Sequence, residues 1–376
     1  MRSELVDLVA RLVSIDSVNP SLVAGGAGER EAAAFVADWG RSAGLDVAVL
    51  GEPARPSVVV RARGSGGGRS LLLCGHLDTV DVDGMIDPFV PRVDGDRMYG
   101  RGSYDMKAGL AAALLAACDA LRLGLAGDVV VAAVADEEHA SIGIQEVLRS
   151  LRADAAVVTE PTELEVVVAH KGFVWIEIAV AGHAVHGSRP ELGVDAIVKT
   201  GPLLVELAAL DDALGKRRHP LLGRGSVHAS LIEGGRELSS YPARCVLQLE
   251  RRTLPDESRA DVEREVDELL ARCRAADPEL VIERRTLIAR DPLAVDPRHE
   301  IVDLVRGAAA AASGAEPEIG GASYWADSGF IAAAGIPTVL FGPGGAGAHA
   351  AEEWVSLRDT ELVTQTLVEV ARRFCG

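Results

Sequence analysis

Aromatic side chains are scarce in this 376-residue chain: six Phe, four Trp and four Tyr make up 4% of it. Little material is therefore left for base-stacking platforms. Positive charge is short as well. Thirty-eight Lys and Arg stand against 56 Asp and Glu, a formal net charge of −18 with no basic run and no acidic tail. A field of that sign repels phosphate backbones and anionic membranes, which counts against nucleic acid and lipid surfaces as partners. The longest apolar stretch, Gly109 to Cys118, falls short of the ~18 residues that a membrane span needs. Cys74, Cys118, Cys245, Cys273 and Cys375 are odd in number, widely spaced and without a CxxC pair, as expected of a reduced cytoplasmic protein. The opening MRSELVDLVARLVSID mixes charged and apolar residues as an amphipathic helix does, and it lacks the unbroken apolar core of a secretory leader.

What is present is an ordinary globular composition, 48% apolar and 25% charged, at a length that allows two to three domains. Short apolar runs at Leu71–Cys74, Val129–Val134, Ala155–Val158 and Thr338–Phe341 read as strands buried on both faces. Helical patterns at Met106–Leu123 and Ile144–Arg152 lie between them. Strands alternating with helices predict an α/β sheet of mostly parallel strands. The middle of the chain differs. Phe173–Val180, Val227–Ile232 and Cys245–Leu249 alternate apolar and polar residues, as strands with one wet face do. Helices are expected near Asp195–Leu210 and Arg259–Ala276, and the buried-strand style returns after about residue 287, with a helix near Glu300–Ala312. The expectation is an α/β domain (1–171 and 287–376) interrupted by a smaller α+β domain (172–286).

Metal-ligand residue types fall at the ends of the buried runs. LLLCGHLD ends in His76 and Asp78; VVVAAVADEE in Asp136, Glu137 and Glu138; AAVVTEP in Glu160; TVLFGPGGAGAH leads to His349. Asp105 stands in GRGSYDMKAGL, ahead of the long Ala/Leu helix. Sites form outside the carboxyl ends of strands in open α/β sheets, so these groups can converge. Any one of them alone reads more readily as a loop acid or a helix cap. Together, imidazole and carboxylate donors suit divalent zinc, cobalt or manganese better than a thiolate structural site. His76 and Asp78, two apart on an extended segment, face the same way, so Asp78 is expected to hold the imidazole through its second nitrogen. The adjacent Glu137 and Glu138 suggest a division between coordination and proton transfer, without saying which residue does which.

The run HLDTVDVDGMIDPFVPRVDGDRMYGRGSYDMKAGLAA, followed by DEEHASIG, TEPT, GHAVHGSRPELGVDAI and GPGGAGAHAAEEW, resembles the dizinc amidohydrolases and metallopeptidases. That family includes acetylornithine deacetylase, succinyl-diaminopimelate desuccinylase, aminoacylase and glutamate carboxypeptidase. The resemblance spans nearly the whole chain and keeps the motif order. It implies a zinc-peptidase-like catalytic domain with an inserted dimerisation or lid domain. By the same resemblance, Asp105 bridges two zinc ions, His76 and Glu160 complete one ligand set, and Glu138 and His349 complete the other. Glu137 matches the general base and Asp78 the acid that orients His76. His186 matches a histidine that reaches the active site of the partner in a homodimer to steady an oxyanion. Arg252 matches an arginine that holds the substrate carboxylate, a task suited to its planar fork, although a strand-edge salt bridge fits the same position.

The chain departs from the family pattern at Ser239, where many relatives have Asn, at Asp195 after RPELG, and at Tyr324 and Trp325 in SYWADSGF. Gly64–Gly68 reads as a hairpin turn and not a phosphate cradle, because no GK[ST] follows. The implied activity is hydrolysis of an N-acyl amino acid amide, with a dipeptidase or carboxypeptidase as the alternative. A non-catalytic binding relative and a two-metal phosphoesterase are the more remote readings.

Overall fold

The structure, a computed structural model, describes residues 3–376; Met1 and Arg2 of the expected first helix lie outside the described residues. That helix runs Ser3–Val13 and buries Leu5, Leu8, Val9, Leu12 and Val13 along one stripe, the spacing of a 3.6-residue period. Among the described residues no helix is long and apolar enough to cross a membrane.

The chain divides into two compact units. The first comprises the segment ending at Val168, Val295–Gly320 and Ala326–Gly376; the second comprises Ala169–Ala294 and Gly321–Trp325. At the centre of the first unit lie four strands in the spatial order Val129–Val134, Leu71–His76, Ala155–Val158 and Thr338–Leu340, all paired in parallel. Every residue of these strands is buried, which is why their sequences are unbroken apolar runs with no wet face. The parallel pairing gives way to antiparallel at both flanks. Asp46–Leu50 returns on Ser57–Ala62 through a short loop, Ser57–Ala62 lies antiparallel to Val129–Val134, and Val166–His170 meets Thr338–Leu340 antiparallel at Leu340 and Val167. Of these, the short connection from Leu50 to Ser57 requires its two strands to be antiparallel.

The Ala/Leu helix begins at Ala108, two residues later than the periodicity predicts, and ends at Leu123. Before it, Ser103–Lys107 forms a wide turn in which Asp105 and Met106 have non-helical backbone, and the Asp105–Met106 peptide is cis. Asp105 is thereby carried out of the helix. Gly109 in the first turn is required for packing, because a Cβ there would come within 1.9 Å of the Thr159 carbonyl oxygen. The segment Gly64–Gly68 is not a hairpin turn: the strands before and after it both pair with Val129–Val134, which lies between them. A third, small sheet joins Arg92–Asp94, Arg97–Tyr99, Trp354–Ser356 and Gly345–Ala346.

The second unit is a four-stranded antiparallel sheet in the order Ser226–Gly234, Arg244–Thr253, Gly172–Ala181 and Val281–Arg290. Val174, Ile176, Ile178 and Val180 form a core with Leu203 and Leu207 of the helix Ala196–Leu214 and Val262, Val266, Leu269 and Leu270 of the helix Arg259–Ala276. The unit runs past the expected boundary at 286 because Val281–Arg290 stays paired with its neighbour as far as Arg290 opposite Phe173. It also takes in Trp325, whose Nε1 donates to the Asp291 carbonyl at 3.0 Å. The departure at Asp195 has a local cause: its Oδ1 accepts from the backbone N–H of Ile197 (2.9 Å) and Val198 (3.0 Å), capping the helix. Asp195→Ala should lower stability by about 1 kcal/mol in urea unfolding, while Asp195→Asn retains most of it.

Candidate metal centre

Because the four central strands run in parallel, their carboxyl ends share one edge of the sheet. His76 ends its strand, Glu137 and Glu138 follow Val134, Glu160 follows Val158, and the segment after Leu340 leads to His349. The small sheet completes the assembly. Its Tyr99–Trp354 and Gly345–Val355 pairings bring the segment that carries His349 beside the strand that leads into the Asp105 turn.

Two groups of donor atoms result, one of His76, Asp105 and Glu160 and the other of Asp105, Glu138 and His349, each with its ligand atoms within 4.8 Å of one another. Asp105 belongs to both. Its Oδ1 lies 3.1 Å from His76 Nε2 and its Oδ2 lies 3.4 Å from His349 Nε2. Glu160 Oε1 is 3.9 Å from His76 Nε2, and Glu138 Oε2 is 3.1 Å from His349 Nε2. His76 is almost fully enclosed (1% exposed), whereas His349 keeps 54% of its side chain open to solvent.

The electrostatics are those of acids forced together. Burial, then repulsion from Glu160, raises the Glu137 carboxyl well above its usual range. Burial also dominates the upward shifts of Glu160 and Glu138, with Asp105 adding to both. For Asp105 burial pushes the same way, but hydrogen bonds from His349 and His76 outweigh it and hold the carboxyl low. Burial opposes a charged His76, yet Asp105 and the surrounding acids raise it well above normal, and bonds to Asp105 and Glu138 push His349 up to about 10. The cluster therefore retains protons in a place where divalent cations would relieve the same repulsion. Oxygen and imidazole donors without thiolate fit such ions.

Asp78 behaves differently from the expectation. His76 Nδ1 sits 2.8 Å from the backbone carbonyl of Asp78, and the Asp78 carboxylate is 3.7 Å away, too far for a hydrogen bond. The carboxylate instead accepts from the backbone N–H of Glu137 and Glu138, each at 3.2 Å, and from Asn19 Nδ2 at 2.8 Å. These donors draw it away from the ring and make it the anchor of the Glu137–Glu138 segment.

Several supporting residues carry no sequence signal of their own. Asn19 also donates to Asp136 at 3.0 Å, Arg55 donates to Asp136 at 2.8 Å and to both Glu29 oxygens at 2.6 Å, and Glu29 accepts from the Asp136 N–H at 3.1 Å. This buried network lies behind the Glu137 turn and allows Asp136 its left-handed backbone, φ 66. Asp327, 1% exposed, adds negative charge that raises Glu137 and Glu160. Glu353, fully enclosed, accepts from the N–H of Gly102, Tyr104 and Asp105 at 2.9–3.0 Å and from Arg101 Nη1 at 2.7 Å. Only its adjacency to Glu352 in AEEW could have marked it.

The remaining candidates lie in the second unit. His186 is exposed, with Nδ1 2.8 Å from Ser188 Oγ. Arg252 Nε donates to Glu250 at 2.7 Å, and its guanidinium lies 5.3 Å from the centre of the Phe173 ring, so the strand salt bridge considered for it is present. Trp325 packs edge-on to Phe173, and the Ser239 carbonyl accepts from the Gly187 N–H at 2.7 Å.

This fold and this convergence of acids and histidines define a metal-dependent hydrolase of the amidohydrolase and peptidase class. The sequence profile of peptidase family M20/M25/M40 matches residues 72–373. Similar solved structures include three that match over nearly their full length. The M20 family metallo-carboxypeptidase Sso-CP2 from Sulfolobus solfataricus is 20% identical, with 100% of this chain and 99% of that one covered and a TM-score of 0.82. Aminopeptidase PepT from Bacillus cereus ATCC 10987 is 18% identical over 99% and 98% of the two chains, TM-score 0.79. The YXEP protein of Bacillus subtilis, a dinuclear metal-binding peptidase from the M20 family, is 15% identical over 99% and 98%, TM-score 0.77. At these identities the likeness to each is one of fold. The chain belongs to peptidase family M20/M25/M40.

Glu353→Ala would leave Arg101 and three backbone donors buried without their acceptor. A loss of about 3–5 kcal/mol in urea unfolding is expected, with Glu353→Gln intermediate.

Proposed function

We propose that the protein hydrolyses the amide bond of a small N-acylated amino acid or short peptide, with two divalent ions held by His76, Asp105 and Glu160 and by Asp105, Glu138 and His349. Zinc is the favoured ion, with cobalt or manganese as alternatives. The observation that carries this reading is the division of the Asp105 carboxylate, one oxygen toward each histidine. When bound, such ions polarise a carbonyl and make water acidic enough to attack at neutral pH. The chain's own residues do the rest. Glu137, partly buried and repelled by Glu160 and Glu138, takes the proton of the attacking water and returns it to the leaving amine, an acid–base role open to a carboxyl that belongs to neither ligand set. Asp78, through the two N–H groups of the glutamate pair, keeps Glu137 and Glu138 in place.

His186 of a second copy is proposed to donate to the developing oxyanion, and Arg252 to bind the substrate carboxylate. The pairing of Arg252 with Glu250 uses only Nε, and a planar carboxylate fits the two remaining terminal nitrogens. The second unit is proposed as the dimerisation or lid domain of a cytoplasmic homodimer. In support, its helix Ala196–Leu214 exposes Ile197, Val198, Leu204 and Val205, and its edge strand Ser226–Gly234 exposes Leu231 and Ile232. A face of this kind on a soluble chain calls for a partner. The peptidase reading is favoured by the family match itself, the deacylase reading by the motif resemblance to acetylornithine deacetylase and succinyl-diaminopimelate desuccinylase.

Amine release from N-acetyl, N-succinyl, N-formyl and dipeptide substrates, with zinc, cobalt or manganese supplied, decides between them. Turnover of one class is expected, lost on chelation. Glu137→Ala should lower kcat by about 10²–10⁴ while both ions stay bound. A Glu137→Ala enzyme as active as wild type, or a wild-type chain that binds no metal, overturns the proposal. Sedimentation should show a dimer that Val205→Glu converts to monomer; a monomeric wild type removes the roles given to the second copy.

A further inference from the structure

Three segments meet beside the two clusters: the Asp105 turn, the segment after Glu160, and the glycine-rich arm Gly342–Gly347 before His349. The last two are stitched to each other by two hydrogen bonds, one to a side chain and one within the backbone. Gly342 N–H donates to Thr162 Oγ1 at 3.0 Å and Leu164 N–H donates to the Gly342 carbonyl at 3.1 Å. Glu163 and Leu164 both adopt left-handed backbone, φ 55 and 64, a conformation that side chains other than glycine rarely take and that the surroundings must enforce. It turns the Glu163 carboxylate onto the arm, where Oε1 accepts from the Gly345 N–H at 3.2 Å. The same oxygen accepts from the hydroxyl of Tyr104, the residue before Asp105. The Tyr104 ring packs against Gly345, where a Cβ would meet the Trp354 carbonyl oxygen at 2.4 Å and ring carbons at 2.5 and 3.0 Å.

We infer that Tyr104 and Glu163 form a latch and act as positioning residues: they hold the His349 arm against the Asp105 turn. The inference rests on the reading of Asp105, Glu138 and His349 as one ligand set. His76 ends a central buried strand and Glu160 closely follows another, so their geometry survives without the latch. His349 is half-exposed at the end of a glycine-rich arm, and its approach to Asp105 depends on what restrains that arm. Opening the latch therefore weakens one ion site and spares the other, which a general loss of stability would not do.

The test is metal release from the dizinc and dicobalt protein to a chelator, followed by stopped flow and by the cobalt absorption spectrum. Tyr104→Phe removes a hydrogen bond to a carboxylate and should speed the release of one of the two ions by about tenfold. The second ion should leave at the wild-type rate, and the unfolding midpoint of the metal-free protein should be unchanged. Glu163→Ala, which removes the carboxylate and keeps the Tyr104 hydroxyl, should reproduce that selective loss. Wild-type release of both ions from Tyr104→Phe and Glu163→Ala overturns the latch alone. Equal acceleration of both ions with a lowered metal-free midpoint also overturns it, in favour of a general structural role. A wild-type protein that binds fewer than two ions instead defeats the site reading on which the latch rests.

Discussion

Carboxylates buried side by side repel one another, and the first unit gathers Asp78, Asp105, Glu137, Glu138 and Glu160 at one sheet edge with His76 and His349 as the neighbouring bases. Everything around them manages that repulsion. Neutral and positive donors are assigned behind the acids, Asn19 to Asp78 and Asp136, Arg55 to Asp136 and Glu29, Arg101 and three backbone N–H groups to Glu353. These partners satisfy the outer carboxylates and leave the inner ones to face each other. A buried acid without a donor is costly, so a cluster built in this way keeps its members only where something of opposite charge is to be held.

Much of this was legible in the sequence because parallel strands buried on both faces have an unmistakable composition, and ligand-type residues at four of their ends are a positional signal. The helix Arg259–Ala276 and the strands Val129–Val134 and Ala155–Val158 fall at the residues their patterns predict. What the pattern could not show is pairing across long separations. Gly64–Gly68 looks like a hairpin turn until Val129–Val134 is found between the strands it joins. Asp78 and His76 sit on one side of an extended segment, yet the Asp78 carboxylate turns to backbone donors contributed by residues 137 and 138. Asn19, Glu29, Arg55 and Glu353 are ordinary polar residues in ordinary loops, and only the fold shows whom they meet. Asp195, a departure from the family pattern, is a helix cap, which the composition of its loop does not announce.

The two units solve different problems with different materials. The first buries both sides of its sheet and draws on Ala and Gly where helices must approach closely, as at Gly109. The second covers one face of an antiparallel sheet and leaves a polar, arginine-bearing face on the other, where Arg252 pairs with Glu250 along one strand and Gln248 and Arg285 reach Glu177 across neighbouring strands. Charge repulsion organises the first unit, and cross-strand ion pairing and alternation organise the second.

The way the second unit is spliced into the chain bears on the order of folding. The two ends of its main segment are neighbours, since His170 and Ala169 pair with Leu293 and Ala294. The central sheet of the first unit meanwhile requires Ala156 to find Thr338, a closure whose entropic cost grows with the length of free chain between them. If the inserted segment folds first, its ends already meet and the intervening chain contracts to a short tether. The most distant parallel pairing in the molecule then becomes a local event, and the edge on which Glu160 and the His349 arm converge can be assembled last, from parts already in reach.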